Sequence, residues 1–95
     1  MILHTVNKIA PCLARCLAVA TPEDSILLLE EAVYAAAGDV SARHWENYQD
    51  YRLFVLADDL ALRGLTDSML PAFSVASWAE FVALAAASDK VISWG

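Results

Sequence analysis

The stretch Ser25 to Asp39, SILLLEEAVYAAAGD, decides how the rest of the chain is read. Ile26-Leu27-Leu28-Leu29 is a short unbroken apolar run, which suits a strand buried on both faces of a sheet. A strand with one face in water would alternate apolar and polar residues instead. Directly after it come two carboxylates, Glu30 and Glu31, and then the alanine-rich segment Ala32 to Ala37, closed by Gly38. Acidic residues favour the positive end of a starting helix, and glycine favours its exit. A buried strand that turns straight into a helix is the repeating unit of α/β proteins, and the sheet's centre is expected here. The acidic pair falls at the carboxyl end of that strand, where open α/β sheets form their binding crevice.

Working outward, the same unit recurs. Toward the N-terminus, Ile2 to Asn7 reads as a first strand, placed inside the sheet. Pro11 fits a first helical turn, and Leu13, Cys16, Leu17 and Ala20 follow at helical spacing until Thr21-Pro22-Glu23-Asp24 closes the helix. Toward the C-terminus, Val40 to Asp50 is polar and irregular, including Arg43 and His44, and reads as a loop with at most one helical turn. Tyr51 to Leu56 is a strand, and Asp58 opens a helix that Gly64 ends. After the connector Leu65 to Pro71, Phe73 to Ala76 is a short strand. Ser77 is an N-cap with Glu80 three residues on, Trp78 to Ala87 is a helix, and Lys90 to Trp94 is a terminal strand. The alternation implies an α/β fold with three layers, α/β/α, around a largely parallel five-stranded sheet, all within one domain spanning residues 1–95.

Composition narrows the function classes. Hydrophobic residues make up 59% of the 95, and charged residues 19%, against the ~45–50% and ~25% of an ordinary soluble domain. A small chain cannot bury that much apolar surface by itself, so membrane insertion or cover by other subunits is implied. A spanning helix needs about 20 apolar residues in a row. The longest such run here is Phe81 to Ala87, so subunit cover is the better account. Ala18-Val19-Ala20 resembles a signal cleavage site, but Arg15 and Pro11 interrupt the apolar core that an export signal needs, and a cytoplasmic location is expected. The net charge of −6 argues against direct binding of nucleic acid, which requires a basic face. Three Trp and three Tyr exceed what so short a chain needs for packing, and interfaces favour both residue types.

Cys16 is the candidate nucleophile, since a thiolate can hold sulfur as a persulfide and Arg15 beside it favours ionisation. The other reading of Cys16 is a small apolar filler, because free cysteine is among the most buried residue types. Cys12 is the weaker candidate. Four residues apart on one helix, the two would gain little from a disulfide. Together with His4 and His44 they make a poor zinc set, so no metal and no cofactor is expected. Glu30-Glu31 and Asp58-Asp59, both at strand ends, invite comparison with a magnesium-binding receiver site, but helix N-termini explain the acidic pairs more simply. Receiver chemistry also needs a lysine at the end of the last strand, whereas Lys90 begins one. His4, inside a strand, reads as a satisfied core or interface histidine.

Taken together, Ile2-Leu3-His4-Thr5-Val6-Asn7-Lys8, a cysteine in the first helix, Leu27 to Ala36, Val55 to Leu65 and the closing Ser93-Trp94 resemble the DsrH/TusB family of sulfur relay proteins, essentially end to end. The resemblance implies a DsrE/F/H-like fold in a heterohexamer with TusC/DsrF-like and TusD/DsrE-like sister subunits. Such complexes pass persulfide sulfur between small sulfur carrier proteins, toward 2-thiouridine at the tRNA wobble position or, in sulfur-oxidising bacteria, toward sulfite chemistry. Some members carry a cysteine in the first helix, and Cys16 matches that position. Others lack it, and the principal relay cysteine belongs to the DsrE/TusD-type subunit. The resemblance therefore leaves two roles for this chain, a relay station at Cys16 or an accessory subunit without sulfur chemistry of its own.

Overall fold

A computed structural model of the chain describes residues 1–38 and 44–95. Strands β1 (Ile2–Val6), β2 (Ser25–Leu28), β3 (Arg52–Leu56), β4 (Ser74–Ala76) and β5 (Lys90–Trp94) are linked by α1 (Cys12–Val19), a 3-10 helix (Glu30–Ala36), α2 (Ala57–Leu62) and α3 (Trp78–Ala87). The strand order is β4-β3-β2-β1-β5, and every neighbouring pair is parallel. β2 is the middle strand and all four of its residues are buried, as its unbroken apolar run requires. β1 lies inside the sheet, paired to β2 and to β5.

The strand order dictates how the faces are covered. From β1 to β4 the chain steps outward in one direction, then crosses back over the sheet to place β5 beside β1. Parallel crossovers are right-handed, so three steps in one direction put three connections on the same face, and the return step puts its helix on the other. The core divides accordingly. On one face Val6, Ile26, Leu28, Leu53 and Val55 pack with Leu13, Cys16 and Leu17 of α1, with Ala32, Val33, Ala35 and Ala36, and with Leu60 of α2. On the other, Leu3, Leu27 and Ala76 meet only Phe81, Leu84 and Ala85 of α3, with Leu29 and Phe54 beside them.

One connection differs from the α-helix expected after Glu31. Residues 30–36 form a 3-10 helix, and burial along it has a period of three: Ala32, Val33, Ala35 and Ala36 are buried while Glu31 and Tyr34 face out. Three residues per turn eclipse positions i and i+3, which sorts this sequence cleanly into an inner and an outer side. The small alanines let the backbone lie close to the sheet. Entry is abrupt, with Glu30 in the left-handed region at φ 51°, where its own N–H donates to the Asp59 carboxylate at 2.7 Å. Of the polar stretch 40–50, residues 40–43 lie outside the described residues, and among the described ones Glu46–Tyr48 form a 3-10 turn. Gly64, at φ 66°, ends α2 as expected.

α3 starts as its sequence indicates. The Ser77 hydroxyl accepts from the Glu80 N–H and the Glu80 carboxylate accepts from the Ser77 N–H, both at 3.1 Å. This capping box fixes the entry of α3, which among the described residues is the helix that covers its face of the sheet. Ser77→Ala is expected to lower stability by about 1 kcal/mol, read as a lower urea midpoint at unchanged m-value.

Candidate functional site

The two thiols on α1 occupy different environments. Pro11, at the helix N-cap, supplies no side-chain hydrogen bond, and Cys12 follows it in the first turn, half-buried. Cys16, one turn on, points into the core and is fully buried. Burial, and to a lesser degree the charge of Asp24, push the Cys16 thiol up to about 12. Buried and raised in this way, the Cys16 thiol is overwhelmingly protonated near neutral pH in this arrangement. Arg15, the expected activator, is on the exposed side of the helix. Iodoacetamide on the folded chain is therefore expected to modify Cys12 well before Cys16, with Cys16 reacting at a comparable rate only in denaturant; peptide mass mapping distinguishes the two sites.

A polar network runs through the apolar interior at β1. His4 is completely buried, and its Nε2 lies 3.1 Å from Asp24 Oδ2. The Trp94 indole N–H approaches His4 Nδ1 at 3.1 Å. Indole nitrogen only donates, so Nδ1 is the acceptor and the imidazole carries its proton on Nε2, which donates to Asp24. The same carboxylate accepts from the Ile2 N–H at 3.1 Å and the Thr21 N–H at 3.2 Å. Burial works against the charge on Asp24, but the hydrogen bonds from His4, Ile2 and Thr21 outweigh it and hold the carboxyl below its ordinary range.

This network was not singled out from the sequence, although a histidine inside the apolar strand Ile2–Val6 needs a partner. Asp24, assigned only to a closing turn, is that partner. Asp24→Ala leaves two N–H groups and an imidazole unpaired in the interior and is expected to cost about 3–5 kcal/mol. Because the folded pKa is depressed, the stabilisation is complete above the unfolded value of about 3.9 and is lost as pH falls through the lower folded value. Acid titration of stability in the parent and in Asp24→Asn, followed by circular dichroism, should show that loss in the parent only.

At the carboxyl ends of β2 and β3 the two acidic pairs do come together. Asp59 accepts from the Glu30 N–H, and Arg63 lies 3.4 Å from its other oxygen. Asp59 thus holds a strained turn in place, while Glu30, Glu31 and Asp58 are exposed. Among the described residues, no group of three or more His, Cys, Asp or Glu side chains is placed to hold a metal ion. A recess of about 440 Å³ beside Trp45 is lined by Gln49, Leu70, Pro71 and Ala72 and by no ionisable side chain among the described residues.

The aromatic excess divides between core and surface. Trp45 is buried, donates to the Ala35 carbonyl at 2.8 Å and packs edge-on against Phe73. Trp78 is 52% exposed and Val82, one turn along, is 64% exposed. Together they form the outer side of α3, a helix of ten residues of which none is fully buried. Beside it runs a groove of about 300 Å³ lined by Phe54, Glu80, Ala83, Leu84 and Ala87. A helix apolar on all sides belongs in an interior, so this surface asks for cover. Among the described residues no helix is long and apolar enough to cross a membrane.

Fold and surface define a small parallel α/β protein with one well-covered face and one apolar helix left in the open. The family is shown by direct comparison: a model of the DsrH like protein family matches residues 10–91, and the chain belongs to that family. Proteins named TusB from Yersinia pestis (strain Pestoides F) and from Yersinia pseudotuberculosis serotype O:1b (strain IP 31758) are each 33% identical over 82 residues, covering 86% of this chain and 86% of the relative.

Proposed function

We propose that this chain is the TusB-type subunit of a cytoplasmic sulfur relay complex serving 2-thiouridine synthesis at the tRNA wobble position, with TusC/DsrF-like and TusD/DsrE-like sister subunits. The observation that carries this reading is the relationship to proteins named TusB over nearly the whole of both chains. The open outer side of α3 supports it, because an assembly supplies the cover that the chain itself lacks. In the relay step a thiolate of the complex attacks the outer sulfur of a carrier persulfide. The new S–S bond forms as the old one breaks, and the carrier leaves as its own thiolate, with no net oxidation.

The burial of Cys16 and its raised pKa support placing that thiolate on a sister subunit. Cys16 becomes a persulfide carrier only in a state that uncovers it. This chain then acts chiefly by shaping the complex. Co-expression with the two sister subunits is expected to give a stable assembly, and Trp78→Glu to weaken it. After exposure to a persulfide-loaded carrier, intact-mass spectrometry should find the added sulfur on a sister subunit. A one-sulfur gain on this chain that vanishes in Cys16→Ser would move the relay thiol here. A chain that stays monomeric beside its sisters would remove the proposal altogether.

A further inference from the structure

The network at β1 does more than satisfy a buried histidine. Of its members, Trp94 lies at the end of the edge strand β5, which is paired on one side only, to β1. The end of β5 is tied back by the Trp94 indole on His4 Nδ1 at 3.1 Å and by the Asn7 N–H on the Trp94 carbonyl at 3.2 Å. Trp94 also packs against the face of the core that contains Cys16. Strand end, indole and imidazole are fastened together, beside the Thr5 hydroxyl that donates to the Ser93 hydroxyl at 3.2 Å.

We propose that the hydrogen bond from Trp94 to His4 is a proton-operated latch on the C-terminal end of β5, closed while His4 is neutral and opened when His4 gains its second proton. The chemistry follows from the tautomer. The lone pair of the neutral ring is on Nδ1, so the incoming proton binds there, turning the acceptor that the indole uses into a donor. Two N–H groups then face each other, and the indole must turn away or leave. Asp24 is not lost in the same step, because Nε2 donates to it in both forms and the pair becomes charge-assisted. The hydrogen bonds that keep Asp24 below the ordinary carboxylate range also keep it charged from pH 8 down to pH 5.

No other described charge is set to take over the role of Nδ1. Opposite His4 across the sheet stand Ile26 of β2 and Ile92 of β5. α1 brings the thiol of Cys16, protonated and sensitive to Asp24. The Met1 ammonium, which also feels Asp24, is bound to Asp89 at 2.6 Å. Arg52, Glu23 and Lys90 are exposed.

The molecule contains its own controls. Trp45 donates its indole N–H to a backbone carbonyl, which does not titrate, and Trp78 is open to solvent. In the full chain labelled with 15N-tryptophan, and in its complex with sister subunits where one forms, the three indole resonances are followed from pH 8 to pH 5, with Trp94→Phe assigning one of them. The Trp94 signal is expected to move toward the position of Trp78 in one transition, and its protection factor and that of the Asn7 amide to fall by about tenfold or more, while Trp45 stays fixed. His4→Gln, which cannot take up the proton, should abolish the transition. Asp24→Asn should shift it to lower pH by removing the carboxylate that favours the imidazolium. A Trp94 signal unmoved between pH 8 and pH 5 overturns the latch. So does a transition that persists in His4→Gln, or one at unchanged pH in Asp24→Asn, the variant that decides if His4→Gln does not fold.

Discussion

A connection between parallel neighbours closes in the right-handed sense, and this chain takes three such steps in one direction before taking one long step back. Much of the structure depends on that constraint. It gathers α1, the 3-10 helix and α2 over one face, where the larger cluster of buried described residues lies. Among the described residues it leaves α3 to cover the other, where the smaller cluster around Leu3, Leu27 and Ala76 lies. A helix in that position is apolar inward to close the core. Here Trp78 and Val82 are exposed on its outer side as well, an apolar surface of the kind that marks an interaction site. The path of the chain and the exposure of this apolar surface are therefore linked.

The same geometry sets the thiol chemistry. α1 lies on the crowded face with its Leu13, Cys16 and Leu17 side turned to the sheet, so Cys16 loses both solvent and charge stabilisation. Asp24, fixed by three donors, adds a negative field on the same side. Low polarity and a nearby carboxylate both oppose a thiolate, and no described group offsets them. Sulfur transfer needs an ionised, reachable thiol, and Cys12, at the open end of the helix, is the less shielded of the two. In this arrangement Cys16 is one of the residues packed into the core.

Much of the architecture was legible in the sequence because local patterns carried it. The apolar run at Ile26 to Leu29 marked the central strand, Ser77 and Glu80 marked the start of α3, and Gly64 marked the end of α2. Each rests on neighbours within a few residues, where the physics of periods, caps and left-handed exits applies directly. The 3-10 form of Glu30–Ala36 was less legible. An alanine-rich segment suits either helix, and the choice came from the sheet beneath it and from Asp59, twenty-nine residues away, holding Glu30 in its strained turn.

What the sequence determined by itself was the set of elements, their parallel arrangement, and an apolar surplus that a single small domain does not absorb. Only the tertiary structure decided that β5 returns to lie beside β1, that His4 finds Asp24 on one side and Trp94 on the other, and that Cys16 faces inward. The reason is separation along the chain. Trp94 and His4 are ninety residues apart, and no local pattern encodes a partner at that distance. Burial and charge at a thiol likewise belong to the surroundings that the fold assembles around it, not to the residue that the sequence names.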